Sequence, residues 1–210
     1  TNGANWENQA FYSRYKFNLY SNFTFFLNDP VNGDEIQQAE SRNIFGYATK
    51  LNHKYFFRNK TLYSVYGAGL RLDATKDSRL SNVVTRKFLS DIKLGNIKET
   101  NLYAFMQQQL NTGKWLFDAG VRVDYFNFSY LDKLNAAQMP AQGKSIISPK
   151  LNVQYSISKA VQLYAKGGKG FHSNDTRVVL DNTAREILPA AYGADAGFTA
   201  KPLKGMVFTA

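Results

Sequence analysis

Hydrophobic and polar residues alternate along this chain with a period of two. From Phe11 onward, Phe11, Tyr15, Phe17, Leu19, Phe23, Phe25 and Leu27 share one parity, and Arg14, Lys16, Asn18, Asn22 and Thr24 hold the other. Trp115, Phe117, Ala119, Val121, Val123 and Tyr125 alternate with Asp118, Gly120, Arg122 and Asp124. Leu151, Val153, Tyr155 and Ile157 alternate in the same way with Lys150, Asn152, Gln154 and Ser156. Successive side chains of a strand point to opposite faces, so these runs are strands with one apolar and one polar face. No i, i+3, i+4, i+7 stripe competes with them. The pattern predicts strands over residues 11–27, 41–52, 60–73, 98–110, 114–130, 148–158, 160–171 and 190–200, with a further one beginning near 205.

The connections alternate in length. Asn111-Thr112-Gly113-Lys114, Ser158-Lys159-Ala160 and Lys201-Pro202-Leu203-Lys204-Gly205 read as tight turns, and 53–59 is little longer. Segments 28–40, 74–97, 131–147 and 172–189 are long and polar, with turn-forming runs such as Asn28-Asp29-Pro30 and Asn32-Gly33-Asp34. Tight turns then fall at one end of the sheet and large loops at the other. A soluble sandwich uses strands of about 5–6 residues with turn signals every 8–12. Strands running past ten residues, with turns short on one side and long on the other, match an outer-membrane barrel instead. In that arrangement the polar parity faces the lumen and the apolar parity faces lipid. Closure is compulsory, because backbone in a bilayer must be fully paired. Trp115, Tyr125, Tyr130 and Tyr155 lie near strand ends, where interfacial aromatic girdles form. The expected fold is therefore all-β: an antiparallel transmembrane barrel section of about 8–9 long strands, drawn from a larger barrel.

Composition narrows the chemistry. No stretch of the 210 residues is apolar for long enough to make a spanning helix, and the mean hydropathy is -0.39. The absence of Cys excludes disulfides, thiol catalysis and Cys-ligated metal. The net charge of +10 comes from scattered Lys and Arg with no basic run or helix, so it reads as solvated charge and not as a nucleic-acid surface. The chain begins at Thr1 and stops inside a strand pattern at Ala210, which reads as one section of a longer protein.

Four stretches carry a family resemblance. Ser148-Pro149-Lys150-Leu151-Asn152-Val153-Gln154-Tyr155, followed by Val161-Gln162-Leu163-Tyr164-Ala165-Lys166-Gly167-Gly168-Lys169-Gly170-Phe171-His172-Ser173, resembles a hairpin of TonB-dependent outer-membrane receptors. Gly120-Val121-Arg122-Val123-Asp124-Tyr125 is similar to another strand of that family. Leu188-Pro189-Ala190-Ala191-Tyr192-Gly193-Ala194-Asp195-Ala196-Gly197 is similar to a third, although Pro189-Ala190 stands where the family has Pro-Glu. Residues 115–200 carry the likeness, and 1–114 share only the strand style. The resemblance implies a barrel of about 22 strands with a plugged lumen, located in the outer membrane of a Gram-negative cell. It implies import of a scarce ligand such as a ferric siderophore, driven by the TonB complex acting on an N-terminal plug. Its implied partners are outer-membrane lipid, the plug of the same parent chain, the TonB complex and a small-molecule ligand such as an iron chelate. No nucleic acid, enzymatic activity or cofactor is implied. All 210 residues fall in one partial barrel domain, with neither plug nor signal peptide, and such a section is not expected to transport by itself. A small self-contained barrel serving as an adhesin or structural anchor is the alternative reading.

Candidate sites follow from position. His172, Asp175 and Arg177 fall at the outer mouth and are candidate ligand contacts. His172-Ser173-Asn174-Asp175 also contains the residue types of a hydrolase, but triad members converge from a scaffold and are seldom neighbours in one loop. Gly168 and Gly170, in Gly167-Gly168-Lys169-Gly170, would allow close approach of a plug, since no helix follows to make a phosphate loop. Arg122 with Asp124, and Arg71 with Asp73, share a lumen-facing parity and are candidates for a charge ladder against the plug. His53, beside Lys54, falls at a predicted periplasmic turn, and two distant histidines make no metal site. The acids of Asn28–Glu35 lack the register of a calcium loop.

Overall fold

A computed structural model describes residues 3–58, 60–172 and 187–210. The strands are β1 (Gly3–Ser21), β2 (Ile36–Phe57), β3 (Lys60–Val84), β4 (Lys87–Thr112), β5 (Trp115–Asp132), β6 (Ala137–Gln138), β7 (Gln142–Ser156), β8 (Val161–Phe171), β9 (Ala190–Ala200) and β10 (Phe208–Thr209). They form one open antiparallel sheet in the order β1-β2-β3-β4-β5-β7-β8-β9-β10, with the short β6 paired to β5. Main-path neighbours are also neighbours in sequence but for the short β6, so the strand order is that of an antiparallel meander.

Cross-strand partners lie on one face, so the registers divide the sheet into two surfaces. On the apolar surface, Leu62 lies opposite Leu110, Leu110 opposite Phe117 and Phe117 opposite Val153. Towards the other end Phe45 lies opposite Leu72 and Leu102 opposite Tyr125. On β5 this band runs from Trp115 to Tyr125 and then changes to Asn127 and Ser129. Ten residues of strand cover ~33 Å, or ~25 Å across a bilayer at a tilt of about 40°. Ser64 and Gln108 interrupt the band, and they satisfy one another. The Ser64 hydroxyl donates to Gln108 Oε1 at 2.6 Å, and the Gln108 amide donates to the Tyr66 hydroxyl at 3.1 Å.

The second surface is polar, with one apolar cluster near the long-loop end. There Phe126, Phe128, Tyr130, Ile146 and Leu188 are buried, with Ile97, Met139, Phe171 and Ile187 packed around them. Phe126 and Phe171 meet edge to face at 5.6 Å.

Five sequence expectations need correction. Phe11, Tyr15, Phe17 and Leu19 lie on the polar surface, because their β2 partners are Gly46, Arg42, Glu40 and Gln38; Trp6 and Tyr12, opposite Leu51 and Phe45, take the apolar one. Bulky residues face inwards on β1 because Gly46 leaves room: a Cβ there would collide with the Phe11 ring. Phe23, Phe25 and Leu27 belong to the loop after β1 and not to the strand. Tyr130 belongs to the buried cluster on the polar surface and not to an interfacial girdle, whereas Trp115, Tyr125 and Tyr155 do share the apolar parity.

The fourth correction concerns 74–97, which is not a loop. β3 and β4 continue to a two-residue turn at Thr85-Arg86, both with positive φ (47° and 63°), the conformation of a tight hairpin turn. Register shifts at Thr75/Ser78, Leu80/Ser81 and Asn82/Val83 break the alternation along this extension, which is why periodicity misses it. His53 likewise lies within β2, its ring 3.8 Å from that of Tyr55, and not in a turn.

Candidate functional site

The polar surface is a ladder of side-chain pairs. At its turn end, Lys50 pairs with Glu7 at 3.0 Å and the Asn52 amide donates to the same carboxylate at 2.6 Å. Further along, Asp118 accepts from the amides of Gln107 at 2.8 Å and Asn152 at 3.0 Å. Above them Arg122 donates through Nε and Nη2 to the two oxygens of Asp124, each at 2.7 Å, and Asn101 donates to Asp124 at 3.1 Å. The Arg122 guanidinium stacks 3.9 Å above the Tyr103 ring. Asp124 is 0% exposed and fully partnered, which is the condition for a buried charge to persist. Arg71 pairs with Asp73 at 3.0 Å, and Arg42 with Glu40 at 3.2 Å.

The same surface has a bare patch. Gly168 faces Lys150 on β7 and Gly193 on β9, and Gly170 faces Ala191. Neither Gly170 nor Gly193 has a heavy atom within 4 Å of where a Cβ would stand. A depression of about 480 Å³ opens there, flanked by Asn152, Lys166 and Asp195. Next to it, a depression of about 360 Å³ lies between Phe105, Gly120, Arg122, Ser148 and Lys150.

His172 follows directly on β8, is exposed, and donates its backbone N–H to the Pro189 carbonyl at 3.1 Å. Asp175 and Arg177 lie outside the described residues. The structure therefore brings Gly168, Gly170, Arg122 and Asp124 onto one surface and places His172 at its long-loop edge. Sequence reasoning did not single out Ser148, Lys150, Asn101 or Tyr103. Their parity is legible, but which strands are neighbours, and in which register, is not.

At the same end, residues 22–35 are held by their own acids. Asp34 accepts the backbone N–H of Asn28 at 3.0 Å and of Asp29 at 2.8 Å, and Asp29 accepts those of Asn32 at 2.9 Å and Val31 at 3.0 Å. The N–H of Asn28 holds the Asp34 carboxyl below its ordinary range, and the N–H of Asn32 does the same for Asp29. The Asn135 side-chain amide lowers Asp132 likewise.

An open antiparallel sheet of long hairpins, apolar on one surface and charge-laddered on the other, is a piece of barrel wall. Residues 1–204 match the family described as TonB dependent receptor-like, beta-barrel, and the chain belongs to that family, whose members are outer-membrane transport proteins of Gram-negative bacteria. Among solved structures the fold is similar to that of the ferric citrate transporter FecA in its unliganded form (TM-score 0.78, 12% identity, covering 94% of this chain and 30% of that one). It is also similar to the ferric-catecholate import receptor Fiu from E. coli K12 in its closed form (TM-score 0.66, 11% identity, 95% and 36%). The chain thus spans about a third of the length of either structure. No curated protein sequence matches it.

Proposed function

We propose that this chain is a wall section of an outer-membrane receptor that imports a scarce ligand, a ferric siderophore or a comparable iron chelate, using energy relayed by TonB. The observation that carries the reading is the two-sided wall. A registered apolar band of bilayer height lies on one surface, and paired charges cover the other. The apolar band lies against lipid, and the ladder lines the interior. Gly168 and Gly170 leave backbone uncovered so that the plug of the parent chain can approach, and Arg122 and Asp124 present a fixed charge pair to it. His172, Asp175 and Arg177 contact ligand at the outer mouth. Neither β1 nor β10 pairs with the other, so the sheet does not close on itself as the self-contained adhesin barrel requires.

The test is uptake by the full-length receptor of radiolabelled iron chelates, with and without an uncoupler, alongside a triple variant His172→Ala, Asp175→Ala, Arg177→Ala. Uptake should cease with the uncoupler while binding at the cell surface remains, and the triple variant should bind more weakly. Uptake indifferent to the uncoupler would overturn the TonB reading, and unchanged binding by the variant would remove the three ligand contacts.

A further inference from the structure

Beyond the long-loop end of the apolar band, the same outward surface carries cations with no acid to match them. The last large members of the band are Tyr12 on β1, Phe45 on β2, Leu72 on β3 and Leu102 on β4. Past them, Arg14 lies opposite Asn43, Asn43 opposite Ala74, Ala74 opposite Lys98 and Lys98 opposite Ser129. One pair further, Lys16 lies opposite Ser41 and Ser41 opposite Lys76. Arg14, Lys16, Lys76 and Lys98 are all exposed, and none has an ion-pair partner among the described residues. The outward positions of β1, β2 and β5, and those of β3 and β4 up to the register shift at Thr75/Ser78, hold no Asp or Glu. Asp77, inside that shift, is already taken by Lys133 at 2.5 Å. The residues between the four cations are small and neutral, so an anion can approach all of them.

Depth decides which anion that is. A strand advances ~3.3 Å per residue, so at a tilt of about 40° two residues lift Arg14 ~5 Å above Tyr12. Four residues lift Lys16 above Tyr12, Lys76 above Leu72 and Lys98 above Leu102 by ~10 Å. The polar layer between hydrocarbon and water is about 5–8 Å thick on each side of a bilayer, and long basic side chains bend towards such a boundary. The four charges therefore end in or beside the headgroup layer, where the anion at hand is a lipid phosphate, an acceptor for several charged donors at once. We infer that Arg14, Lys16, Lys76 and Lys98 form a docking site for phosphate-bearing lipid headgroups in the leaflet on the long-loop side. The inference rests on the reading that the apolar band lies against lipid, and it names where on that surface an anionic lipid is held.

The experiment is the spin-label spectrum of the full-length receptor in phosphatidylcholine vesicles, which separates lipid held against the protein from free bilayer. Spin-labelled phosphatidic acid should be held more strongly than spin-labelled phosphatidylcholine. Lys76→Gln with Lys98→Gln should lower that preference, and adding Arg14→Gln and Lys16→Gln should bring the loss to about twofold. Lys87→Gln with Lys93→Gln removes as much charge as the first pair from the same hairpin, farther from the bilayer, and should leave the preference in place. Heat-modifiable migration in a gel verifies that each variant still forms its barrel. A spectrum with no held lipid would overturn the membrane-wall reading itself. Held lipid with no preference for phosphatidic acid, a preference untouched by the four substitutions, or one lowered equally by the two pairs would overturn the docking site alone.

Discussion

Asp124 is the residue on which the polar surface concentrates its hydrogen bonds. Its carboxylate has no exposure and takes three donated bonds, two from Arg122 and one from Asn101. Removing it leaves a guanidinium that still has Tyr103 beneath it but no anion to neutralise it. Breaking a buried pair from one side costs about 3–5 kcal/mol, and because 40% of the Arg122 side chain remains exposed a smaller loss, about 2–3 kcal/mol, is the expectation for Asp124→Ala. The check is the denaturation midpoint of the full-length receptor compared with wild type. Arg122→Ala added to Asp124→Ala should cost little more, since the orphaned charge is then gone. A fully additive loss would show that the two side chains do not act as a pair. Size matters on this surface as well as charge: Phe105 covers Gly67 and Tyr103 covers Gly69, where a Cβ on either glycine would collide with the aromatic side chain. An aromatic covering a glycine on the neighbouring strand shields backbone that has no side chain of its own.

Elements show how far alternation can be read. β5 and β7 were legible because their two parities differ sharply, with Trp115 to Tyr125 on one side and Asp118, Arg122 and Asp124 on the other. β1 was misassigned because both parities carry aromatics. Tyr15 reads as apolar in isolation, yet its hydroxyl donates to Glu40 and Arg42 covers its ring. Alternation reports burial contrast, and where a strand leaves the bilayer that contrast vanishes. The outer half of the β3–β4 hairpin thus looks like a loop, although its backbone is paired almost to the turn. The candidate site was legible only as a set of residues on one parity, since the depression around Ser148 depends on register. The loop at 22–35 has no alternation either, and its order comes from hydrogen bonds to Asp29 and Asp34. Both acids have folded-state pKa values lowered by N–H donors, so their contribution is fully present above the unfolded value of about 3.9 and is lost as pH falls through the folded values. Amide exchange over residues 28–34, corrected for intrinsic rates, should therefore be constant from neutral pH to about 5 and rise only below about 4. Protection lost already near pH 6 would show that other groups hold the loop.

At the scale of the whole molecule, the two surfaces make opposite demands on the same substitution. Val121 lies on β5 near the middle of the apolar band, opposite Met106 on β4 and Pro149 on β7. Gln109 lies on the polar surface opposite Asp118 and Tyr63. If the apolar band meets hydrocarbon, Val121→Arg puts a cation near the bilayer midplane at a cost of about 2–4 kcal/mol. Gln109→Arg instead adds a cation within reach of an acid in a wet interior and should change stability by less than about 1 kcal/mol. Reversible unfolding of the full-length receptor from phospholipid vesicles measures both. The comparison works because both substitutions introduce the same cation, and the expected difference exceeds the roughly 1 kcal/mol span of strand propensity. A large loss for Val121→Arg alone would fix which surface lies against lipid. Equal losses, or a larger one for Gln109→Arg, would mean that the wall is turned the other way, and the charge ladder would then need a different partner from the interior of a barrel.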